Sequence, residues 1–192
     1  RRVIDIPASW SGKQVIAHFG SVTSNIYLYV NGKFAGYSED SKVAAEFDIT
    51  RLLKPGRNLI SFQVFRWCDG SYSEDQDFWR FSGVARECYL YARQHDAITD
   101  VRISSTLTHD YRVLDVAVTI QGTCNLRAWL LDSAGNIVAQ NTNSHVSNGR
   151  ASFRMTVDNP CKWSAETPYL YTLVLAPTAP GGDHKPYSYV SQ

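Results

Sequence analysis

Between Arg66 and Arg80 the chain reads Arg-Trp-Cys-Asp-Gly-Ser-Tyr-Ser-Glu-Asp-Gln-Asp-Phe-Trp-Arg, which crowds four carboxylates, Asp69, Glu74, Asp75 and Asp77, between aromatic and arginine brackets. Like charges at this density repel unless water, arginine or a metal ion neutralises them, and Trp67, Phe78 and Trp79 are apolar enough to exclude much of the water. Arg66 and Arg80 are each able to grip one carboxylate through two parallel hydrogen bonds. The acids left over suit a hard cation that takes oxygen ligands. Composition alone allows a second reading, an exposed and solvated acidic turn. The spacing does not match the alternating acids and glycine of a calcium-binding EF-hand loop.

The elements that must hold this loop are strands. Val15–Phe19 and Ile26–Val30 are rich in strand-forming residues, and Asn31-Gly32 supplies two positions that tolerate positive φ, which predicts a tight hairpin into Lys33–Tyr37. Residues 47–53 suit one helical turn before Lys54-Pro55-Gly56 stops it, and Asn58–Phe65 resumes strand alternation. The acidic stretch hangs as a loop from the end of that strand. Residues 87–92 read as another strand, and the polar run 93–97 suits an inter-domain join, with the boundary near residue 94. Beyond it, segments 98–104, 111–120, 124–131, 137–140, 151–157 and 169–176 are short strands separated by turns. With no helix-length periodic segment among them, they predict an immunoglobulin-like sandwich, although the Cys-Trp-Cys spacing of true immunoglobulin domains is missing. Trp163 is expected to pack where that sandwich closes, and residues 177–186 read as a long hairpin loop.

Composition narrows the function classes. A chain of 192 residues holds one large or two small domains, and a net charge of +1 gives no broad pull towards nucleic acid or an anionic membrane. The opening residues lack the long apolar core of a signal peptide, and no run approaches membrane-spanning length. Cytoplasmic and periplasmic locations both fit. Cys68, Cys88, Cys124 and Cys161 are too dispersed for a zinc site, and a chain of this size builds its core without covalent staples, so buried free thiols are expected. His18 falls within a strand and His95, His109, His145 and His184 in turns, none beside a nucleophile, so they read as surface or packing residues.

Three runs carry a family resemblance: residues 22–40, ending Val-Asn-Gly-Lys-Phe-Ala-Gly-Tyr-Ser-Glu-Asp; Ala45-Glu-Phe-Asp-Ile49; and residues 66–83. Together with Asn159-Pro-Cys-Lys-Trp-Ser-Ala-Glu-Thr-Pro-Tyr-Leu-Tyr171, they resemble the large bacterial β-galactosidases of glycoside hydrolase family 2. The resemblance implies an all-β chain: part of a jelly-roll sugar-binding domain over residues 1–94, then an immunoglobulin-like domain over 95–192. It further implies a homo-oligomeric enzyme acting on terminal β-galactosides, in which a (β/α)₈ barrel outside this chain carries the two catalytic glutamates. Asp77 would then contact the terminal galactose and help to hold a sodium ion. Asp69 and Glu39 stand at positions resembling ligands of a magnesium site in some relatives, with Glu39 where a glutamine also occurs. Trp79, Arg80 and Arg86 resemble supports that fix the loop by stacking and ion pairing. Val84 and Ala85 depart from the family's usual residues and shrink the local core.

Retaining glycoside hydrolysis needs an acid and a nucleophilic carboxylate about 5 Å apart across the bond. Glu74 and Asp77 share one loop with no opposing wall to bury either, so the chain alone is expected to be inactive. A jelly roll lacking its first strands is also expected to self-associate. A β-glucuronidase or β-mannosidase of the same family is a second reading. A third is a free-standing carbohydrate-binding module using Tyr37, Tyr72 or Trp67.

Overall fold

The structure, a computed structural model, describes residues 1–77, 79–105, 108–122, 124–178 and 189–191, with only the backbone described at 108, 109, 143 and 189–191. It divides into two compact units, Arg1–Gln94 and His95–Gln192.

In the first unit, β1 (Arg2–Ile6), β4 (Asn25–Val30), β5 (Lys33–Glu39) and β7 (Gly56–Phe65) form an antiparallel sheet in the order β1-β7-β4-β5. A second sheet, ordered β6-β2-β9, is built from β2 (Gln14–Phe19), β6 (Ala45–Asp48) and β9 (Cys88–Arg93), and a short ladder joins β3 (Val22–Thr23) to β8 (Gly83–Val84). Strand alternation explains the burial. Ile26, Leu28 and Val30 are fully buried while Tyr27 and Tyr29 between them point to the other face. With Val15, Ala17, Phe19, Phe47 and Ile49 they make the core of a β-sandwich of the jelly-roll kind. Asn31 and Gly32 take φ of 52° and 79°, as the expected β4–β5 hairpin requires. The helical turn expected near residue 50 is a 3₁₀ turn over Thr50–Leu52. Val84 packs against this core and Ala85 lies exposed beside it.

The second unit holds β10 (Ala97–Ser105), β11 (Val113–Gln121), β12 (Asn125–Leu131), β13 (Ile137–His145), β14 (Arg150–Thr156), β15 (Thr172–Thr178) and β16 (Tyr189–Ser191). They form a three-stranded sheet, β10-β11-β14, and a four-stranded sheet, β13-β12-β15-β16. Val116, Val118 and Ile120 of β11 and Met155 of β14, in the first sheet, share one core with Leu126, Ala128, Leu130, Leu173 and Leu175 of the second, giving an immunoglobulin-like sandwich. The hydroxyl of Tyr171, just ahead of β15, accepts a hydrogen bond at 2.8 Å from the main-chain N–H of Cys161, in the manner of a tyrosine corner.

Two expectations need correction. Trp163 is 62% exposed, because it lies on the connection between β14 and β15 while aliphatic residues and Tyr171 close the core. All four thiols are free, but only Cys124 is buried; Cys68 is partly covered, and Cys88 and Cys161 are exposed. The loop expected over residues 177–186 lies outside the described residues from 179 onward. No helix among the described residues is long and apolar enough to cross a membrane.

Candidate functional site

The acidic segment leaves the end of β7 and is not all loop. Asp69–Ser73 forms one helical turn, α1, whose start is fixed by a reciprocal cap: the Ser71 hydroxyl accepts from the Cys68 N–H at 3.0 Å and lies 3.6 Å from the Cys68 thiol. Ser71 is the residue of this turn that is buried. The entry is tied down by Ser24, whose N–H donates to the Phe65 carbonyl at 3.1 Å and whose hydroxyl donates to the Arg66 carbonyl at 2.8 Å.

The four acids have different surroundings. Asp75 is ion-paired with Arg80. Glu74 caps the C-terminus of α1, and its carboxylate accepts a hydrogen bond at 2.9 Å from the main-chain N–H of Ser41. Asp69, at the start of α1, is exposed and lies with Glu39 and the Cys68 thiol in a group whose candidate ligand atoms are all within 4.8 Å of one another. Asp77 is exposed and has no ion pair or hydrogen bond among the described residues.

The supports differ from the expectation in part. Trp67 and Trp79 are 53% and 81% exposed, so water reaches the acids and the repulsion is relieved by solvent as well as by pairing. Trp79 stacks on Phe81, with ring centroids 6.1 Å apart and planes 1° apart, and its neighbour Phe78 lies outside the described residues. Arg66 places its guanidinium 5.4 Å from the centre of the Trp67 ring, a cation–π contact where a carboxylate grip was expected. Arg86 donates from Nη1 to the carbonyl of Lys42 at 3.1 Å, which steadies the connection between β5 and β6. Asp40 steadies the same connection by accepting from the N–H groups of Lys42 and Val43 at 3.0 Å each, and these bonds hold its carboxyl below the usual carboxylate range.

Around Glu39 the sheet supplies further polar contacts. Tyr37 donates its hydroxyl to Glu39, and Asn25 Nδ2 approaches the same hydroxyl at 3.4 Å. Burial, the first cause, and the Glu39 carboxylate push the Tyr37 phenol well above its ordinary value. Gly70 leaves room for Glu39: a Cβ there would stand 2.9 Å from Glu39 Oε2. Beside the loop is a cleft of about 40 Å³, lined in part by Ser24, Ser41, Arg66, Glu74 and Arg80. That space admits water but falls far short of the roughly 300–1,000 Å³ of a small-molecule pocket.

Ser24 and Ser41 were not singled out from the sequence, and Tyr37, offered there as an aromatic for stacking on sugar, is found donating its hydroxyl to Glu39. Ser24 and Ser41 are small polar residues whose role is visible only once distant segments meet.

An acidic, partly helical segment carried on a jelly-roll sandwich, in a chain that also holds an immunoglobulin-like sandwich, defines a pair of β-modules that present a loop to solvent. Residues 1–94 match the family described as glycosyl hydrolases family 2, sugar binding domain, and residues 90–183 match glycosyl hydrolases family 2. The chain belongs to glycosyl hydrolase family 2. It is 40% identical over 182 residues to a β-galactosidase of Priestia megaterium (strain DSM 319 / IMG 1521), covering 88% of this chain and 18% of that protein. It is 38% identical over 195 residues to β-galactosidase 2 of Enterobacter cloacae, covering 93% of this chain and 19% of the relative. The chain thus spans less than a fifth of the length of these relatives. Among solved structures, a β-glucuronidase of Bifidobacterium dentium in complex with coumarin-3-O-glucuronide aligns with a TM-score of 0.80 at 23% identity, over 98% of this chain and 38% of that one. A β-glucuronidase of Ruminococcus gnavus aligns with a TM-score of 0.81 at 22% identity, over 98% of this chain and 33% of that one. At those identities the likeness is one of fold.

Proposed function

We propose that this chain is the non-catalytic N-terminal portion of a β-galactosidase that hydrolyses terminal β-D-galactosides, and that its acidic segment supplies Asp77 to a sugar pocket completed by a catalytic barrel elsewhere in the polypeptide. The observation that carries this reading is the contrast within the loop: Asp75 and Glu74 are engaged locally, whereas Asp77 is exposed and unpaired among the described residues. A carboxylate held on an anchored segment with no partner among the described residues is available to accept hydrogen bonds from a sugar hydroxyl and to offer oxygen to sodium. One carboxylate does not make a sodium site, so further oxygen ligands would come from the barrel and the substrate.

Asp69 and Glu39 would hold magnesium, with Cys68 as a bystander, since a hard ion takes carboxylate and water oxygens over a thiol. The fit rests on two carboxylates within reach of each other and on the gap at Gly70 that admits Glu39. In that role the ion would bind α1 to the end of β5. Trp79, Arg80 and Arg86 act as supports, and a homo-oligomeric enzyme is part of the same reading.

Hydrolysis of nitrophenyl β-D-galactoside, β-D-glucuronide and β-D-mannoside by the full-length enzyme tests the proposal, with the galactoside preferred. Preference for either of the others would overturn the substrate. Calorimetric titration of the 192-residue chain with galactose and lactose, with and without sodium, separates an accessory portion from a free-standing sugar-binding module. The accessory reading expects no binding at millimolar sugar, and binding there would favour the module.

A further inference from the structure

Ser41 is a buried residue, 3% exposed, in the connection between β5 and β6, and side chains satisfy both of its main-chain polar groups. Its carbonyl accepts from the hydroxyl of buried Ser21 at 2.6 Å, and its N–H donates to Glu74 Oε1 at 2.9 Å across 33 residues of sequence. Glu74 is also the C-terminal cap of α1, its own N–H donating to the Gly70 carbonyl at 2.9 Å. Three residues further on stands Asp77. The segment is therefore held on its entry side by Ser24 and at the end of its helical turn by Glu74, while Arg80 closes onto Asp75 beyond.

From this we infer that Glu74 is a positioning residue: by accepting the Ser41 N–H it fixes where α1 ends and thereby where Asp77 is presented. The inference rests on the role proposed above for Asp77. It assigns Glu74 no proton transfer and no contact with sugar. With alanine at 74 the buried Ser41 N–H loses the one hydrogen bond it makes among the described residues, whereas a glutamine at the same place still offers a carbonyl oxygen. The requirement is for an acceptor, not for charge. A role in acid–base chemistry or in cation binding would require the charge.

The test has two arms. In the first, amide hydrogen exchange is measured on the 192-residue chain for the wild type, Glu74→Ala and Glu74→Gln, with the amides of the paired residues Leu28 and Phe62 in the central strands as the folding control. The Ser41 amide and those of residues 75–80 should exchange at least about tenfold faster in Glu74→Ala and stay near wild type in Glu74→Gln, with the controls unchanged. In the second, kcat/KM of the full-length enzyme should fall about tenfold or more in Glu74→Ala, recover in Glu74→Gln, and combine non-additively with Asp77→Asn. Equal loss in the Ala and Gln variants, or a Ser41 amide indifferent to Glu74→Ala, would overturn the inference. The exchange arm uses no substrate, so it stands or falls separately from the β-galactosidase reading.

Discussion

Asp75 and Asp77 lie two residues apart on one segment, yet Asp75 is closed onto Arg80 while Asp77 stands in solvent without a partner among the described residues. A single local cation takes one acid of a crowded run and leaves the other available. Because exposed ion pairs contribute at most about 1 kcal/mol, the pairing matters for where the loop points more than for how stable the domain is.

Stability in the first unit depends on a different residue. Asn58 is 1% exposed, and its side chain accepts from the Lys54 N–H and from Asn31 Nδ2 at 2.9 and 2.8 Å while donating to the carbonyls of Lys54 and Gly56 at 2.7 Å each. Asn58→Ala strands several of these groups and should destabilise the unit by about 3 kcal/mol, read from urea unfolding of the chain. Asp77→Asn should leave the same unfolding curve unchanged.

Acid sensitivity should trace in part to Asp48. Burial raises its pKa, but bonds from the Thr50 hydroxyl, Gln14 Nε2 and the Thr50 N–H, together with the Arg93 charge, outweigh burial and hold the carboxyl below its ordinary value. A folded pKa below the unfolded one gives a contribution that is fully present above the unfolded pKa, about 3.9, and is lost as pH falls through the folded value. Asp48→Asn should therefore flatten the loss of stability below about pH 4 relative to wild type. An acid limb of unchanged slope would remove Asp48 from the account.

The thiols should divide by exposure. In the native chain the exposed Cys161 and Cys88 should react with an aromatic disulfide reagent, Cys88 more slowly because partial desolvation raises its pKa, and buried Cys124 should react only after denaturation. Mass spectrometry of the labelled peptides reads the order directly.

What the sequence made legible was local. Asn31-Gly32 announces its hairpin because both residues must take positive φ, and the alternation of Ile26, Leu28 and Val30 announces a sheet with one buried face. The helical turn Asp69–Ser73 was hidden because it spans five residues and is capped by Cys68 and Ser71, a pairing outside the usual helix-start pattern. The tie between Ser41 and Glu74 was hidden for another reason, since nothing in either segment specifies a partner 33 residues away. Trp163 misled because a large aromatic near strands is usually buried, whereas its exposure is decided by the connection on which it sits. The resemblance placed Asp69 and Glu39 together, and the fold does bring their carboxylates within reach of one another.

The most direct test of the role given to Asp77 is the sodium dependence of hydrolysis by the full-length enzyme, wild type against Asp77→Asn. Loss of a charged acceptor facing sugar and sodium should lower kcat/KM on a β-galactoside roughly tenfold to hundredfold, with KM raised, turnover lowered and the response to sodium diminished. Kinetics of the variant equal to wild type at every sodium concentration would contradict it.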